Sequence, residues 1–281
     1  MKTLTVLATG PLTTVQDEGR PGQAALGIGR SGVCDRASAA LANRLVGNPP
    51  DAAVLEVTFG GLAVRAGSDL LVVTTGARCP GAPHAAPTLL RAGAELRLGA
   101  PAGGLRSYLA VRGGIAVPPV LGSRATDVLA GLGPPVVAPG DVLPVGPPTS
   151  PPAGVDLAPV ADPPAGAVTV AVLPGPRADW FGAAGWSGLV GRPWTVSSDS
   201  NRVGVRLDGV PLDRVRAGEL PSEGMVRGAL QVPPAGTPVL FLADHPVTGG
   251  YPVIGYVVDA DVDRCAQLRP GQTLRLRGSR A

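Results

Sequence analysis

The chain has 281 residues, a net charge of +3, 44% hydrophobic but only 3% aromatic residues, 41 glycines and 32 prolines. A chain of this length can bury a real core in one large domain or two lobes, and its glycine and proline content favours short strands and tight turns over a helical bundle. The basic residues lie scattered, without the run or stripe that tracks nucleic-acid phosphates, and no apolar stretch approaches the roughly 20 residues of a membrane span.

The opening MKTLTVLATG reads as a first β-strand rather than a signal peptide, because it turns polar by residues 13–17 without an A-x-A site. TTVQDEGRPG then runs from a strand end into a turn that exposes Gln16, Asp17 and Arg20. One helix declares itself near residues 36–46: Asp35 is placed as N-cap, Ala37, Ala40, Leu41 and Leu45 form an apolar stripe, and Gly47 and Pro49 stop it. Residues 54–59 read as a strand with Glu56 inside it. That carboxylate must face solvent, be paired, or face a ligand, since burying it alone is costly. Short strands are expected at 70–74, 95–98, 107–111, 136–137 and 142–145, with no second long amphipathic helix before Val145.

GPPTSPPAGVDLAPVADPPAG, residues 146–166, is too proline-rich to continue a central strand and reads as a linker or long excursion. Strands resume at 168–173 and close the chain at 273–277. The fold expected is mainly β, with two β-barrel-like lobes at 1–145 and 167–281. Cys34, Cys79 and Cys265 are odd in number and lie outside any CxxC or Cys/His metal spacing. They read as free, buried thiols of a reducing compartment, and a cytoplasmic protein is expected.

Polar residues concentrate in SEGMVRGALQVPPAGTPVLFLADHPVTGGY, residues 222–251, which carries Glu223, Gln231, Asp244, His245, Thr248 and Tyr251. Apolar runs at 239–242 and 253–258 flank a loop where Gly249 and Gly250 permit positive φ or a close ligand approach. No GxSxG elbow exists, and adjacent Asp244 and His245 on a strand would face opposite sides, so a Ser-His-Asp triad is disfavoured. His245 is either a lone acid/base or substrate donor, or a loop cap. The block RSYLAVRGGIAVPPVLGSRATD, residues 106–127, places Arg112 and Arg124 beside glycines and hydroxyls, suited to carboxylates or phosphates. It has no Walker lysine and no GxGxxG opening a helix, so a nucleotide phosphate would be held in a non-standard way.

Residues 13–277 resemble the KipA family, which is also the family of allophanate hydrolase subunit 2 and of the C subunit of 5-oxoprolinase. The resemblance rests on ordered blocks: TTVQDEGRPG, GIGRSGVCDRASAALANRLVGNPPDAAVLEVTFGG, RSYLAVRGGIAVPPVLGSRATD, LPGPRADWF, WTVSSDSNRVGVRL, the SEG…QVPP segment and TGGYP. It implies cyclophilin-like β lobes and a KipI-like partner. With a third, LamB/YcsF-type protein, the resemblance implies ATP-dependent opening of 5-oxo-L-proline to L-glutamate, ATP and Mg2+ acting at the level of the complex. Related modules belong to biotin-dependent urea carboxylase, and another relative modulates a kinase inhibitor. Carboxyl transfer with a biotin-dependent carboxylase, or a regulatory module binding a KipI-like protein, therefore stand as alternatives.

Carried onto this chain, the resemblance implies Asp244, His245 and Glu223 as catalytic positions. It implies Gln16, Asp17, Arg20, Ser31, Asp35, Arg36, Arg112, Arg124, Gln231, Thr248, Gly249, Gly250 and Tyr251 as substrate-binding ones, with no dedicated metal site. The chain departs from the family pattern at Asp244-His245-Pro246-Val247, where a Gln-Thr pair more often precedes TGGYP. Val33-Cys34 likewise replaces the more usual Ala-Met.

Overall fold

The structure, a computed structural model, describes residues 2–279 and is mainly β. It divides into two compact units. The first comprises the residues up to Arg20 with Ser31–Asp127 and Gly131–Pro163, and the second Pro21–Arg30, Val128–Ala130 and the chain from Pro164 onward.

Unit 1 contains β1 (Lys2–Thr9), β2 (Leu12–Gln16), α1 (Arg36–Leu45), β3 (Val54–Thr58), β4 (Leu62–Ala66), β5 (Leu70–Gly76), β6 (Thr88–Leu90), β7 (Glu95–Arg97), β8 (Arg106–Val111) and β9 (Val142–Val145). They form a four-stranded sheet ordered β7-β4-β1-β9 and a five-stranded sheet ordered β2-β3-β8-β5-β6. Alternate residues of both sheets meet in one core: Leu4, Val6, Val64 and Leu143 from the first pack with Leu55, Val57, Val72 and Leu109 from the second. Each such side chain fully buried contributes about 1.5–3 kcal/mol. The strand expected at 136–137 does not form; Val137 N instead donates to Thr13 O (3.1 Å).

Helix α1 starts where the sequence places it. The Asp35 carboxylate accepts from Ser38 N (3.0 Å) and Ser38 Oγ (2.7 Å), satisfying donors that a helix start leaves open. Its buried face is Ala39, Ala42, Asn43 and Leu45; of the expected stripe, Leu45 is buried and Leu41 packs against the core, whereas Ala37 is exposed and Ala40 only half-buried. Alanines lie all round this helix, so apolar spacing alone does not fix its phase. Glu56 is buried and paired: it accepts from Cys34 N (2.8 Å) and Tyr108 Oη (3.0 Å) and lies 3.6 Å from Arg106 Nε. Burial first, then the Glu56 charge, holds Tyr108 as a neutral phenol. It therefore donates to Glu56 while accepting from Asp35 N (2.8 Å).

The proline-rich stretch is bonded to unit 1 as far as Pro163. Ala153 N donates to Leu45 O (3.2 Å), Ala158 N to Ala85 O (2.8 Å), and Arg78 Nε to Asp162 (2.9 Å). Gly47, at φ 73°, passes so close that a Cβ there would sit 2.3 Å from Pro151 O. Beneath the stretch His84 is buried, its Nε2 3.9 Å from Asp162. Burial, and then Arg78, lowers its pKa below the usual 6.5 against the pull of Asp162. The unfolded chain thus binds a proton here that the folded chain refuses, so stability is lost as pH falls from about 6.5 towards the lowered folded value. Thermal midpoints at pH 7.5 and 5.5 should show a smaller acid-side drop in His84→Gln than in the parent; equal drops would exclude His84 as the source.

Unit 2 contains β10 (Val168–Pro174), α2 (Gly182–Gly191), β11 (Pro193–Val196), β12 (Gly204–Asp208), β13 (Glu223–Gly224), β14 (Ala229–Gln231), β15 (Val239–Phe241), β16 (Thr248–Gly249), β17 (Val253–Val257), α3 (Asp259–Cys265) and β18 (Thr273–Gly278). Seven strands close into a barrel, β10-β17-β14-β15-β12-β11-β18, while β13 and β16 pair separately. Closure leaves the barrel no open edge. Helices α2 and α3 add to the single helix expected from sequence. Among the described residues no helix is long and apolar enough to cross a membrane. The three cysteines form no disulfide and are buried, and burial pushes the Cys265 thiol up to about 12.

Candidate functional site

A polar cluster of unit 1 forms where the turn after β2 meets residues 123–126. The Asp17 carboxylate organises it. Oδ1 accepts from Gly19 N (2.8 Å) and Ser123 Oγ (2.6 Å), and Oδ2 from Arg124 N (2.5 Å). Asp17 O accepts from Val33 N (3.0 Å). This close passage needs glycine at 32, at φ 94°, because a Cβ there would lie 2.8 Å from the Gly19 nitrogen. The preceding Ser31 adopts a left-handed φ of 55°, a conformation of the kind that collects at functional sites.

Arg20 and Gln16 converge on consecutive carbonyls of that loop. Arg20 Nη2 donates to Ala125 O (2.5 Å), and Gln16 Nε2 to Thr126 O (2.8 Å) and Thr14 Oγ1 (3.0 Å). Ser31 Oγ reaches Thr126 O at 3.5 Å. Arg20, Gln16 and Thr126 are 2%, 0% and 4% exposed. Even so, Arg20 Nε and Nη1, Gln16 Oε1 and Thr126 Oγ1 have no hydrogen-bond partner among the described residues. Leaving such groups unmet costs about 1–3 kcal/mol each, more for a charged one. Four such groups, two of them on one guanidinium, lie within this one cluster.

The other unit 1 positions implied by the family resemblance are engaged elsewhere. Asp35 caps α1 and Arg36 begins it, while Arg112 Nη2 donates to Ser150 O (2.8 Å) in the proline-rich stretch. Arg124 Nε donates to Val117 O (2.7 Å). The Arg112-Gly113-Gly114 turn does not fit a phosphate cradle. Gly113 N is held by Asn48 Oδ1 (2.7 Å) and Gly114 N by Val111 O (2.8 Å), so neither amide is left to meet a phosphate oxygen.

In unit 2, Asp244 forms a buried bidentate pair with Arg202, Nε to Oδ2 and Nη2 to Oδ1 both at 2.9 Å. Val128 N donates to Oδ2 at 3.1 Å. His245 Nδ1 lies 2.8 Å from Pro246 O, a carbonyl that can only accept, so this nitrogen donates. Glu223 pairs with Arg177, whose guanidinium holds that carboxyl below its usual range. A carboxylate so held is a poor proton donor at neutral pH.

Glu223 also sits opposite Gly249 in the β13–β16 ladder, with Thr248 opposite Gly224. Gln231 Nε2 donates to Tyr251 O (3.2 Å), and a Cβ on Gly249 would lie 2.6 Å from that nitrogen. The glycine at 249 thus answers to Gln231. Neither Gly249 nor Gly250 takes the positive φ considered from sequence. Thr248, Gly250 and Tyr251 are exposed. Among the described residues no three His, Cys, Asp or Glu side chains are grouped to hold a metal ion.

Sequence reasoning singled out Gln16, Asp17, Arg20 and Ser31, which unit 1 brings together. It singled out Glu223, Gln231, Gly249 and Tyr251, which unit 2 brings together. Ser123, Thr126, Arg177 and Arg202 were not picked out as site residues. For the first two, the hydroxyl-rich GSRATD block was the available signal.

A β core built around these clusters is the architecture of a known class. Residues 26–278 match the family described as carboxyltransferase domain, subdomain A and B, and the chain belongs to that family. It is 39% identical over 280 residues to the C subunit of 5-oxoprolinase from Escherichia coli (strain K12), covering 96% of this chain and 89% of that protein. It is also 31% identical to a urea amidolyase of Lachancea kluyveri, over 96% of this chain but 16% of that protein. Among solved structures, the protein TTHA0988 superposes with a TM-score of 0.87 at 35% identity, over 98% of this chain and 56% of its own. The Kluyveromyces lactis urea amidolyase gives 0.86 at 28%, over 98% of this chain and 18% of its own. The chain thus spans little more than half the length of the first of these structures.

Proposed function

We propose that this chain is a subunit of an ATP-dependent 5-oxoprolinase, working in the cytoplasm with a KipI-like and a LamB/YcsF-type partner to open 5-oxo-L-proline to L-glutamate. The observation that carries the reading is the set of unmet groups in unit 1, where Arg20 Nε and Nη1 stand with Gln16 Oε1. A lactam presents a carbonyl oxygen and an N–H on the same edge. The guanidinium donors suit the oxygen and Gln16 Oε1 suits the N–H. As the carbonyl is attacked, negative charge gathers on its oxygen, and fixed donors there stabilise the transition state more than the ground state. The 39% identity to the C subunit of a 5-oxoprolinase supports this substrate.

Asp17 acts by position. Its carboxylate fixes the loop whose carbonyls aim Arg20 and Gln16. The three thiols are buried, and activation of the lactam by ATP with Mg2+ is assigned to the assembled complex. The three proteins mixed with 5-oxoproline and ATP should release glutamate, and omitting this chain should stop it. Turnover that persists without it would refute the proposal.

A second reading is favoured by the carboxyltransferase family and the urea amidolyase relatives. Urea shows the same paired carbonyl and N–H edge, so the same residues would serve carboxyl transfer from a biotin carrier. Carboxylation of urea in place of glutamate release would decide for it.

A further inference from the structure

Unit 1 has a cleft of about 300 Å³ that the groups discussed above do not fill. Its floor is apolar, built from Ala52, Ala53, Ile115 and Ala116. It is shaped by a close crossing of Gly113 and Gly146, where a Cβ on Gly113 would lie 2.0 Å from Gly146 O. The amides along the floor are spent within the fold: Ile115 N donates to Ala53 O (2.9 Å), Ala116 N to Pro144 O (2.8 Å) and Gly146 N to Gly114 O (3.1 Å). Recognition in this cleft therefore rests on side chains.

Two charged side chains line it, Arg124 and Asp51, with the Thr149 hydroxyl beside them. Arg124 is fixed at its neck, since its main-chain nitrogen donates to Asp17 Oδ2 (2.5 Å) and its Nε to Val117 O (2.7 Å). Its two terminal nitrogens remain for a ligand. Asp51 and Arg124 form no ion pair with each other, so two opposite charges share one small cleft without closing on each other. A volume near 300 Å³ lies at the lower end of small-molecule sites.

We propose that this cleft binds a compact zwitterion, an α-amino acid, with the ligand carboxylate on Arg124 and its ammonium on Asp51. The chemistry is simple complementarity: a guanidinium edge takes a carboxylate through two parallel hydrogen bonds, and a carboxylate takes an ammonium. The apolar floor accommodates the side-chain carbons that extend from the α-carbon bearing both charges. A molecule carrying one charge alone would leave the other group of the cleft unmatched. The site is separate from the Gln16–Arg20 cluster and does not depend on the reaction assigned to it.

Calorimetric titration of the full chain with L-glutamate tests this, with glutarate as the probe that keeps both carboxylates and lacks the ammonium. Saturable glutamate binding should weaken at least ten-fold in Asp51→Asn and in Arg124→Met, a step of about 1.4 kcal/mol per ten-fold. Glutarate should bind the parent at least ten-fold more weakly than glutamate does. Asp51→Asn touches an exposed side chain, so its thermal midpoint should match the parent and keep the test valid if Arg124→Met fails to fold. Absence of saturable glutamate binding, binding indifferent to Asp51→Asn, or glutarate binding as tightly as glutamate would each overturn the proposal.

Discussion

Asp244→Ala is expected to cost about 3–5 kcal/mol of folding stability, because it removes the carboxylate paired with the buried, charged Arg202 guanidinium. Both side chains are at most 1% exposed and meet through two bonds of 2.9 Å. Asp244→Asn keeps the shape but not the charge, and should fall in the same direction. Replacing both partners together, with Asp244→Leu and Arg202→Met, should recover most of the loss, since the desolvation of both charges is then removed. Calorimetric unfolding of the three variants decides the matter. A single variant as stable as the parent would show that the pair contributes nothing.

Arg20→Met should do the opposite. Arg20 is buried at 2% exposure, yet two of its three nitrogens find no partner among the described residues. Removing a donor that the fold leaves unmet relieves a penalty of about 1–3 kcal/mol against the loss of one hydrogen bond to Ala125 O. The thermal midpoint should therefore hold or rise. Turnover in the reconstituted complex should nevertheless fall on the order of 10²–10³-fold, the usual effect of deleting a donor to a developing oxyanion. This split between stability and activity is what a merely structural arginine cannot give. A variant that loses both together would assign Arg20 to the fold alone.

These two arginines also show what the sequence makes legible. Strand after strand was readable from short apolar runs between glycines and prolines, and β9 and β10 begin at the expected residues. The cap at Asp35 was readable because it is local, its partner lying three residues on. Helix α2 was not. Gly182, Gly185, Gly188 and Gly191 each carry a helix penalty of about 1 kcal/mol relative to alanine. The glycine at 185 has a packing reason, because a Cβ there would sit 2.4 Å from Phe181 Cβ.

The site was legible as a set of motifs and not as a geometry. Asp17 finds Ser123 across 106 positions and Arg202 finds Asp244 across 42. No local pattern announces such pairings. The acidic residues that looked free to act in catalysis were, in Asp244 and Glu223, already committed to arginines. Glu56 was undecided for the same reason, and its partners lie on β8 and before α1.

The most direct test is glutamate release from 5-oxoproline and ATP as this chain is titrated into fixed amounts of the proposed KipI-like and LamB/YcsF-type partners, with Arg20→Met run beside the parent. The rate should rise with the chain and saturate, and the variant should compete for the proposed partners without supporting turnover. A rate indifferent to added chain, or one that Arg20→Met restores in full, would contradict the proposal.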